Sequence, residues 1–350
     1  MPIDLRERVG TALSTFLTDQ TKHLDAMSDD LHEVSEAVAE LVLSGGKRLR
    51  PAFCYWGAVG SGLPDSDALI GAAASLELLH ACALIHDDVM DGSDIRRGLP
   101  STHRRFAGRH RAGSWQGDPD TFGVAAAILL GDLALVWADR MLAECGLPPD
   151  ALVRGRPVYD DMRTELMAGQ YLDVLEQALG GGSVERSLRV ARYKSAKYTV
   201  ERPLQLGGAL AGADAATMEA YSSYGLPVGE AFQLRDDVLG VFGDPDEIGK
   251  PAGDDLREGK RTALVAAALE TATPDQVAVV RRHLGDPHLD AQGVADLRQV
   301  ITETGALTRV EQLIEQRAAQ ALAAAASAPV TEAARAALAE LAVAATTRTV

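Results

Sequence analysis

Apolar residues recur along the chain with the spacing of amphipathic and buried helices. Residues 1–43 show helical periodicity with mixed charge, and a break at residues 44–46 ends this pattern. Residues 67–91 and 122–145 are apolar almost all round, which predicts helices buried in a core. No stretch alternates apolar and polar residues over a useful strand length. The pattern therefore predicts a chain built from helices.

The second half of the chain continues in the same way. Further helices are predicted over residues 157–179, 184–212 and 214–243, separated by glycine clusters or short polar breaks. Residues 244–260 indicate a polar loop, and the Ala-rich remainder is again helical. Residues 92–121 are rich in Gly, Arg and His and predict a loop, with at most a short helix.

No internal repeat and no linker divides the chain. The sequence therefore predicts an all-α fold, one large helical bundle around a central apolar cavity, with residues 1–350 forming a single domain. Residues 104–121 are expected to be a surface insertion without a role. Pro203 either interrupts a long helix and frees backbone carbonyls, or starts a new helix.

Composition supports helices and narrows the range of partners. Apolar residues make up 47% of the 350 residues, enough for a sizeable core, and aromatic residues only 5%. The formal net charge of -16 makes nucleic acid and anionic membrane surfaces unsuitable partners. The three cysteines are widely spaced, and no signal peptide or bilayer-spanning apolar run is evident. We therefore expect a cytoplasmic protein with no membrane span and no nucleic-acid partner.

An acidic cluster ends the first of the strongly apolar helices. Asp87 and Asp91 are four residues apart and share one helix face, with Asp88 beside them. Two like charges so placed destabilise a bare helix, whereas a shared cation makes the arrangement favourable. Taken alone, the cluster is equally well explained as a solvated helix end.

A second acidic pair, Asp236 and Asp237, lies near the end of another largely apolar helix. Gln233 and Asp237 are four residues apart and share a face. Two such helices can point their acids at each other across a bundle. Because Mg²⁺ prefers carboxylate oxygens together with water and phosphate oxygens, the two clusters predict hydrated Mg²⁺ ions that hold one diphosphate.

Basic residues, several of them next to glycines, complement the two acidic clusters. In an acidic chain they predict a binding site for an anion, because Arg binds phosphate bidentately and Lys as a point charge. Each of them alone is also explained as a surface salt bridge. They are Lys47, Arg48, Arg50, Arg96, Arg97, Lys194, Lys250 and Lys260.

Five motifs occur together and in order. They are Gly-Gly-Lys-Arg-Leu-Arg-Pro at 45–51, Leu-Ile-His-Asp-Asp-Val-Met-Asp at 84–91, Arg-Arg-Gly at 96–98, Gly-Gln-Tyr-Leu-Asp at 169–173 and Phe-Gln-Leu-Arg-Asp-Asp at 232–237. The set resembles the trans-isoprenyl diphosphate synthases, the polyprenyl synthetase family that includes farnesyl and geranylgeranyl diphosphate synthases. Each motif alone is weak, whereas the two acidic motifs with the Gly-Lys-Arg motif are highly specific.

The resemblance implies metal ligands. Asp87 and Asp91 would bind Mg²⁺ with Asp88 in support, and Asp236 would bind it with Asp237 nearby. Three Mg²⁺ ions are expected in each active site. These five aspartates, together with a lysine of the allylic site, form the expected catalytic set. Gly240 stands where many family members have a third Asp, so position 240 has no ligand role.

The resemblance also implies two diphosphate sites. The isopentenyl diphosphate site would consist of Lys47, Arg50, His80 and Arg97. The allylic diphosphate site would consist of Arg96, Lys194, Ser195, Gln233, Lys250 and Lys260, of which Lys194 is the catalytic lysine. Gln170 and Asp173 match the family's Gln-x-x-Asp and would lie behind the metal ligands.

The implied reaction is a prenyl transfer that joins isopentenyl diphosphate to an allylic diphosphate. In this family the residues just before the first acidic motif often limit product length. Here they are small, Cys82 and Ala83, with Leu79 and Leu76 next along the helix, which favours geranylgeranyl diphosphate over farnesyl or longer products. A class I terpene cyclase and a non-catalytic subunit are the competing interpretations. By resemblance, a homodimer is expected.

Overall fold

The computed structural model describes residues 3–180, 182–243 and 253–346. These residues are mostly helical. Two strands of two residues each, β1 (Ile95–Arg96) and β2 (Leu99–Pro100), pair as an antiparallel hairpin. The all-α prediction is therefore confirmed.

The helices are numbered in chain order. The first are α1 Ile3–Asp25, α2 His32–Leu43, α3 Leu49–Gly60, α4 Asp67–Asp91, α5 Thr102–Ala112 and α6 Pro119–Ala143, with one turn of 3₁₀ helix at Asp29–Leu31. The next are α7 Pro149–Leu179, α8 Val184–Val190, a π-helix Ala191–Glu201, α9 Arg202–Ala211 and α10 Ala215–Phe242. The last are α11 Asp254–Arg257, α12 Ala263–Thr271, α13 Pro274–His283, α14 Ala291–Glu303, α15 Ala306–Ser327 and α16 Glu332–Thr346.

The chain folds into two compact units. The first contains the residues up to Gly155 together with Gly207–Gly212. The second contains Arg156–Leu206 and the residues from Ala213 onward. That residues 1–350 act as a single domain stays a prediction.

Helix α4 is the core helix of the first unit. It packs along α6 and against α3 and α1, and it buries residues on all its sides, as its apolar pattern predicted. Ser66 caps its start by accepting a hydrogen bond from the Leu69 backbone N–H, and Gly92 ends it in the left-handed conformation. The helix predicted at residues 67–91 is thus confirmed at both ends.

Residues 92–121 differ from the predicted loop. They contain the β1–β2 hairpin and α5, which packs along α6. The expectation that residues 104–121 form a surface insertion is wrong for the part within α5. Buried residues recur in this Arg- and Gly-rich stretch at helical spacing and form one face of α5. They are His103, Phe106, Ala107 and His110.

Helix α10 is the central helix of the second unit, and it packs against the π-helix and α15. A Cβ at Gly225 or Gly229 would overlap the backbone of Glu201 or Ala196, so only glycine permits this close approach. The π-helix lies between α8 and α9 without a break. Pro203 therefore lies inside a continuous helical segment and not at its start.

Two helices, α4 and α6, are long and apolar enough to cross a bilayer by length and composition alone. In α4, 72% of the apolar window is buried inside the protein, which is typical of a core helix. In α6 the buried share is 39%, and Ile128, Leu129 and Val136 are exposed. The absence of a membrane span stays a prediction.

Candidate functional site

The first acidic cluster lies in the last turn of α4. Asp87 and Asp91 are half-buried and one turn apart, and Asp88 is buried. Arg96 of β1 donates its Nε hydrogen to Asp88 Oδ1 at 2.9 Å, and its Nη2 lies 3.9 Å from Asp87 Oδ2. Asp88 is thus the main ion-pair partner of Arg96, an arrangement that fits a supporting role.

The tip of the hairpin positions Arg97. Arg97 and Gly98 connect β1 to β2, and both have positive φ, 54° and 77°, as type I′ turns require. Arg97 Nη1 donates hydrogen bonds to the carbonyls of Leu41 at 3.0 Å and Gly45 at 3.1 Å. The hairpin is therefore fastened to the loop between α2 and α3, which carries the Gly-Lys-Arg motif.

The charges of four arginines act on His80 of α4. Burial of the imidazole, followed by the charges of Arg50, Arg97, Arg96 and Arg48, holds the pKa of His80 well below its ordinary value. His80 is therefore neutral at neutral pH and offers a hydrogen bond instead of a charge. The structure thus brings together three residues predicted to bind isopentenyl diphosphate, in a positive field that suits an anion.

The fourth of those residues, Lys47, is exposed in the loop just before α3. Next to this loop, a cleft in the first unit is lined by Ser44, Asp88, Arg96 and Arg97, among others. The loop between α2 and α3 and the β1–β2 hairpin, which carry the two basic motifs, therefore line one cleft. Asp88, at the acidic end of α4, lines the same cleft.

On α10, Gln233 Nε2 donates a hydrogen bond to Asp237 Oδ1 at 2.8 Å. The two side chains therefore share a face, as predicted. Asp236 is half-buried and Asp237 is buried. Burial raises the pKa of Asp237 to about 7; the Gln233 hydrogen bond opposes this, and the charges of Asp255 and Asp236 add to it. Extra positive charge beside this pair would favour the ionised form.

Asp255 approaches α10 at the position where the sequence has no third acid. A Cβ at Gly240 would overlap the Asp255 carboxylate, so this carboxylate occupies the space of a side chain at position 240. Lys260 Nζ lies 3.4 Å from Asp255 Oδ1 and 2.6 Å from Glu258 Oε2. Sequence reasoning missed Asp255, since the only signal was an acid in the polar segment before Lys260.

The π-helix carries Lys194 and the buried Ser195. Lys194 Nζ lies 2.6 Å from Asp173 Oδ2 of α7, where Gln170 is half-buried one turn earlier. A Cβ at Gly169 would overlap the backbone nitrogen of Lys194, so glycine lets α7 approach the π-helix closely. The remaining predicted lysine of the allylic site, Lys250, lies outside the described residues.

The four residues expected to limit product length lie on α4 before the acidic cluster. Leu76, Leu79, Ala83 and Asp87 follow helical spacing along one face, and both leucines are buried. Cys82 is also buried, and burial raises the pKa of its thiol to about 12. It therefore acts as a small apolar side chain and not as a nucleophile.

The carboxylates fit magnesium rather than a metal held entirely by protein. Across residues 3–180, 182–243 and 253–346, no three His, Cys, Asp or Glu side chains form a group that could hold a metal ion. Mg²⁺ characteristically takes one or two carboxylates and completes its octahedron with water and phosphate oxygens. Within the first unit, Asp87 and Asp91 of α4 provide such a pair of carboxylates, and within the second unit Asp236 of α10 provides one.

Comparison with known proteins defines the class. The polyprenyl synthetase family model matches residues 32–303, a range that includes both acidic motifs and the Gly-Lys-Arg motif. The chain belongs to the polyprenyl synthetase family. It is therefore a trans-prenyltransferase of the prenyl diphosphate synthase type.

Individual relatives differ in the product that their names give. The chain is 33% identical to geranylfarnesyl diphosphate synthase of Aeropyrum pernix, over 82% of this chain and 85% of the relative. It is 31% identical to nonaprenyl diphosphate synthase of Mycobacterium tuberculosis, over 84% of this chain and 82% of the relative. A solved structure of geranylgeranyl pyrophosphate synthase from Corynebacterium glutamicum, complexed with isoprenyl diphosphate and magnesium, is 41% identical with a TM-score of 0.95, over 99% of both chains.

Proposed function

We propose that this protein condenses isopentenyl diphosphate with an allylic diphosphate in a magnesium-dependent reaction, and that its product is geranylgeranyl diphosphate. The observation that carries the proposal lies on α4. Carboxylates at its C-terminal end lie two turns beyond His80, on which the charges of four arginines act. One helix thus offers ligands for a cation close to a binding place for an anion.

Asp87, Asp91 and Asp236 would hold three Mg²⁺ ions, with Asp88 and Asp237 in support. When bound, magnesium supplies positive charge that stabilises the departing diphosphate. A role for magnesium is supported by the solved Corynebacterium glutamicum enzyme, which is complexed with magnesium and isoprenyl diphosphate.

Side chains of the protein bind and orient the two substrates. Lys47, Arg50 and Arg97 neutralise isopentenyl diphosphate, while the neutral His80 donates a hydrogen bond to it. The allylic diphosphate is held by Arg96, Lys194, Ser195, Gln233, Lys250 and Lys260.

The allylic carbon–oxygen bond breaks, and the double bond of isopentenyl diphosphate forms the new carbon–carbon bond. The proton that leaves is taken by the released diphosphate. Apolar walls exclude water, which would otherwise trap the carbocation as an alcohol.

The product assignment rests on α4. Ala83 and Cys82 are small, so the next candidates to stop the chain deeper along α4 are the buried Leu79 and Leu76. A growing prenyl chain would pass Ala83 and meet Leu79 and then Leu76. Because named relatives make products of different length, chain length depends on such local side chains and not on family membership.

We also propose a cytoplasmic homodimer. Helix α6 exposes Ile128, Leu129 and Val136 at 45%, 66% and 60% of their surface. Exposed apolar side chains of this kind on a long helix are suited to burial against a second copy of the same chain.

The test is incubation of the purified protein with Mg²⁺, isopentenyl diphosphate and each allylic primer, followed by chromatography of the dephosphorylated products. Asp87→Asn and Asp236→Asn should each lower turnover by about 100-fold or more with little change in melting temperature. Asp19→Asn, at an exposed acid on α1, is the matched control. Product formed without isopentenyl diphosphate would indicate a cyclase, and near wild-type turnover in either variant would refute the metal assignment.

A further inference from the structure

A buried ion pair lies directly behind the basic loop. Arg48 Nη1 lies 2.5 Å from Glu77 Oε2, and the two side chains are only 5% and 4% exposed. Arg48 Nη2 also donates to the carbonyl of Val42 at 2.6 Å. An unpaired charge at such depth is strongly unfavourable, so each partner depends on the other. Neither residue has a role in the diphosphate sites described above.

The pair fixes an unusual backbone conformation. Arg48 has φ 51° and ψ 38°, in the left-handed region, and it is the N-cap residue of α3. Residues other than glycine rarely adopt this conformation, and they do so where the surroundings hold them in it. Lys47 precedes Arg48 directly, and Arg50 lies in the first turn of α3. The direction of both basic side chains therefore depends on the backbone at Arg48.

Glu77 connects this loop to the rest of the site. It lies three residues before His80 on α4, one helical turn away. Burial lowers the pKa of the Arg97 guanidinium, and the charge of Glu77 opposes this shift by raising the same pKa. The buried Glu77 carboxylate thus pairs with Arg48 of the loop and acts electrostatically on Arg97 of the hairpin. It lies on the same helix as His80.

We propose that Glu77 and Arg48 are positioning residues for isopentenyl diphosphate: their buried ion pair holds the backbone that presents Lys47 and Arg50. This inference rests on the proposed function, since it assigns the arginine cluster to that substrate. Neither side chain touches the diphosphate. Loss of the pair should therefore weaken binding of isopentenyl diphosphate and leave the allylic substrate unaffected.

Steady-state kinetics of Glu77→Gln separates the two substrates. We expect KM for isopentenyl diphosphate to rise about tenfold, because removing one partner of a buried charge pair strands the other, with KM for the allylic diphosphate within about twofold of wild type. Glu165→Gln is the matched control. It removes a carboxylate that pairs with Arg202 and Lys197 within the second unit, none of which is a proposed isopentenyl residue, and should lower melting temperature without raising that KM.

A second variant distinguishes positioning from general stability. Arg48→Met with Glu77→Leu replaces the pair with apolar side chains and should restore the melting temperature, because such replacements are often neutral or stabilising. KM for isopentenyl diphosphate should nevertheless stay high. Its return to the wild-type value together with the melting temperature would overturn the inference.

Calorimetric titration with isopentenyl diphosphate keeps the two proposals apart. If the wild-type protein binds this ligand and Glu77→Gln binds it equally well, the positioning role is wrong and the proposed function stands. If the wild-type protein neither binds nor consumes isopentenyl diphosphate, the proposed function fails and the positioning role fails with it.

Discussion

Two arginines of the candidate site have backbone conformations that few side chains adopt. Arg48 and Arg97 have φ of 51° and 54°, and Ser114 is the only other non-glycine residue with positive φ in the described part of the chain. Hydrogen bonds hold both arginines in place, from Arg48 to Glu77 of α4 and from Arg97 to the Leu41 carbonyl of α2. The basic cluster is therefore organised by the protein itself, which reduces the ordering cost of binding an anion.

Gly240 offers a prediction at the same scale. Because its missing Cβ leaves room for the Asp255 carboxylate, Gly240→Ala should displace Asp255 from its place beside Lys260. We expect a loss of about 1–3 kcal/mol in the free energy of unfolding, typical of an overpacked site, measured by denaturant unfolding without added metal.

Gly10, inside α1, is the control for that measurement. Nothing lies within 4 Å of a Cβ at Gly10, so Gly10→Ala should leave stability unchanged or raise it by up to about 1 kcal/mol, through helix propensity alone. Equal changes in the free energy of unfolding for the two substitutions would show that the Asp255 carboxylate does not contact α10 at position 240.

At the scale of elements, the apolar pattern predicted helices well where one pattern dominated. Helix α4 was predicted at both ends because an uninterrupted apolar segment lies between a Ser cap and a Gly terminator. Helix α5 was predicted only as a possible short helix within a loop, because its narrow buried face lies among Arg and Gly residues. The π-helix at Ala191–Glu201 was not predicted from hydrophobic periodicity, and glycines of α7 and α10 lie close to its backbone.

The face of α4 before Asp87 leads to a prediction on product length. Cys82→Phe combined with Ala83→Phe should shorten the product, because the aromatic rings would block the path toward Leu79. Chromatography of the dephosphorylated products measures the change. Since Cys82 is fully buried, Ala83→Phe alone, at a half-buried position, is the second variant.

Ala336→Phe provides the comparison, because it adds the same bulk at an exposed position on α16. It should leave chain length unchanged. Products of wild-type length from both Ala83→Phe and the double variant would reject the idea that this face of α4 limits elongation.

At the scale of the whole molecule, the exposed face of α6 predicts a dimer. The protein should sediment with about twice the 37.0 kDa mass of one chain. Leu129→Glu should shift it toward the monomer, because a charge in an apolar interface is costly to bury. Leu322 on α15 is also apolar and 38% exposed, and Leu322→Glu should leave the protein dimeric. Monomeric wild-type protein would contradict the proposal.

The site was predicted from sequence only in part. The acids and the basic motif stand out because chemically unusual residues follow one another closely, as Asp87 and Asp88 do. Glu77 and Asp255 were missed because their partners lie 29 and 15 residues away, at Arg48 and Gly240. A single sequence reveals such contacts only after it is folded.

Helices α4 and α10 share an electrostatic feature at their ends. Neither has a basic residue in its last turn, although the backbone carbonyls there concentrate negative charge, and both carry aspartates in their last two turns. Each helix therefore ends against its own macrodipole. A divalent ion bound at these termini would replace the missing cationic cap, so that the proposed metal would also stabilise the fold and make its stability depend on the supply of metal.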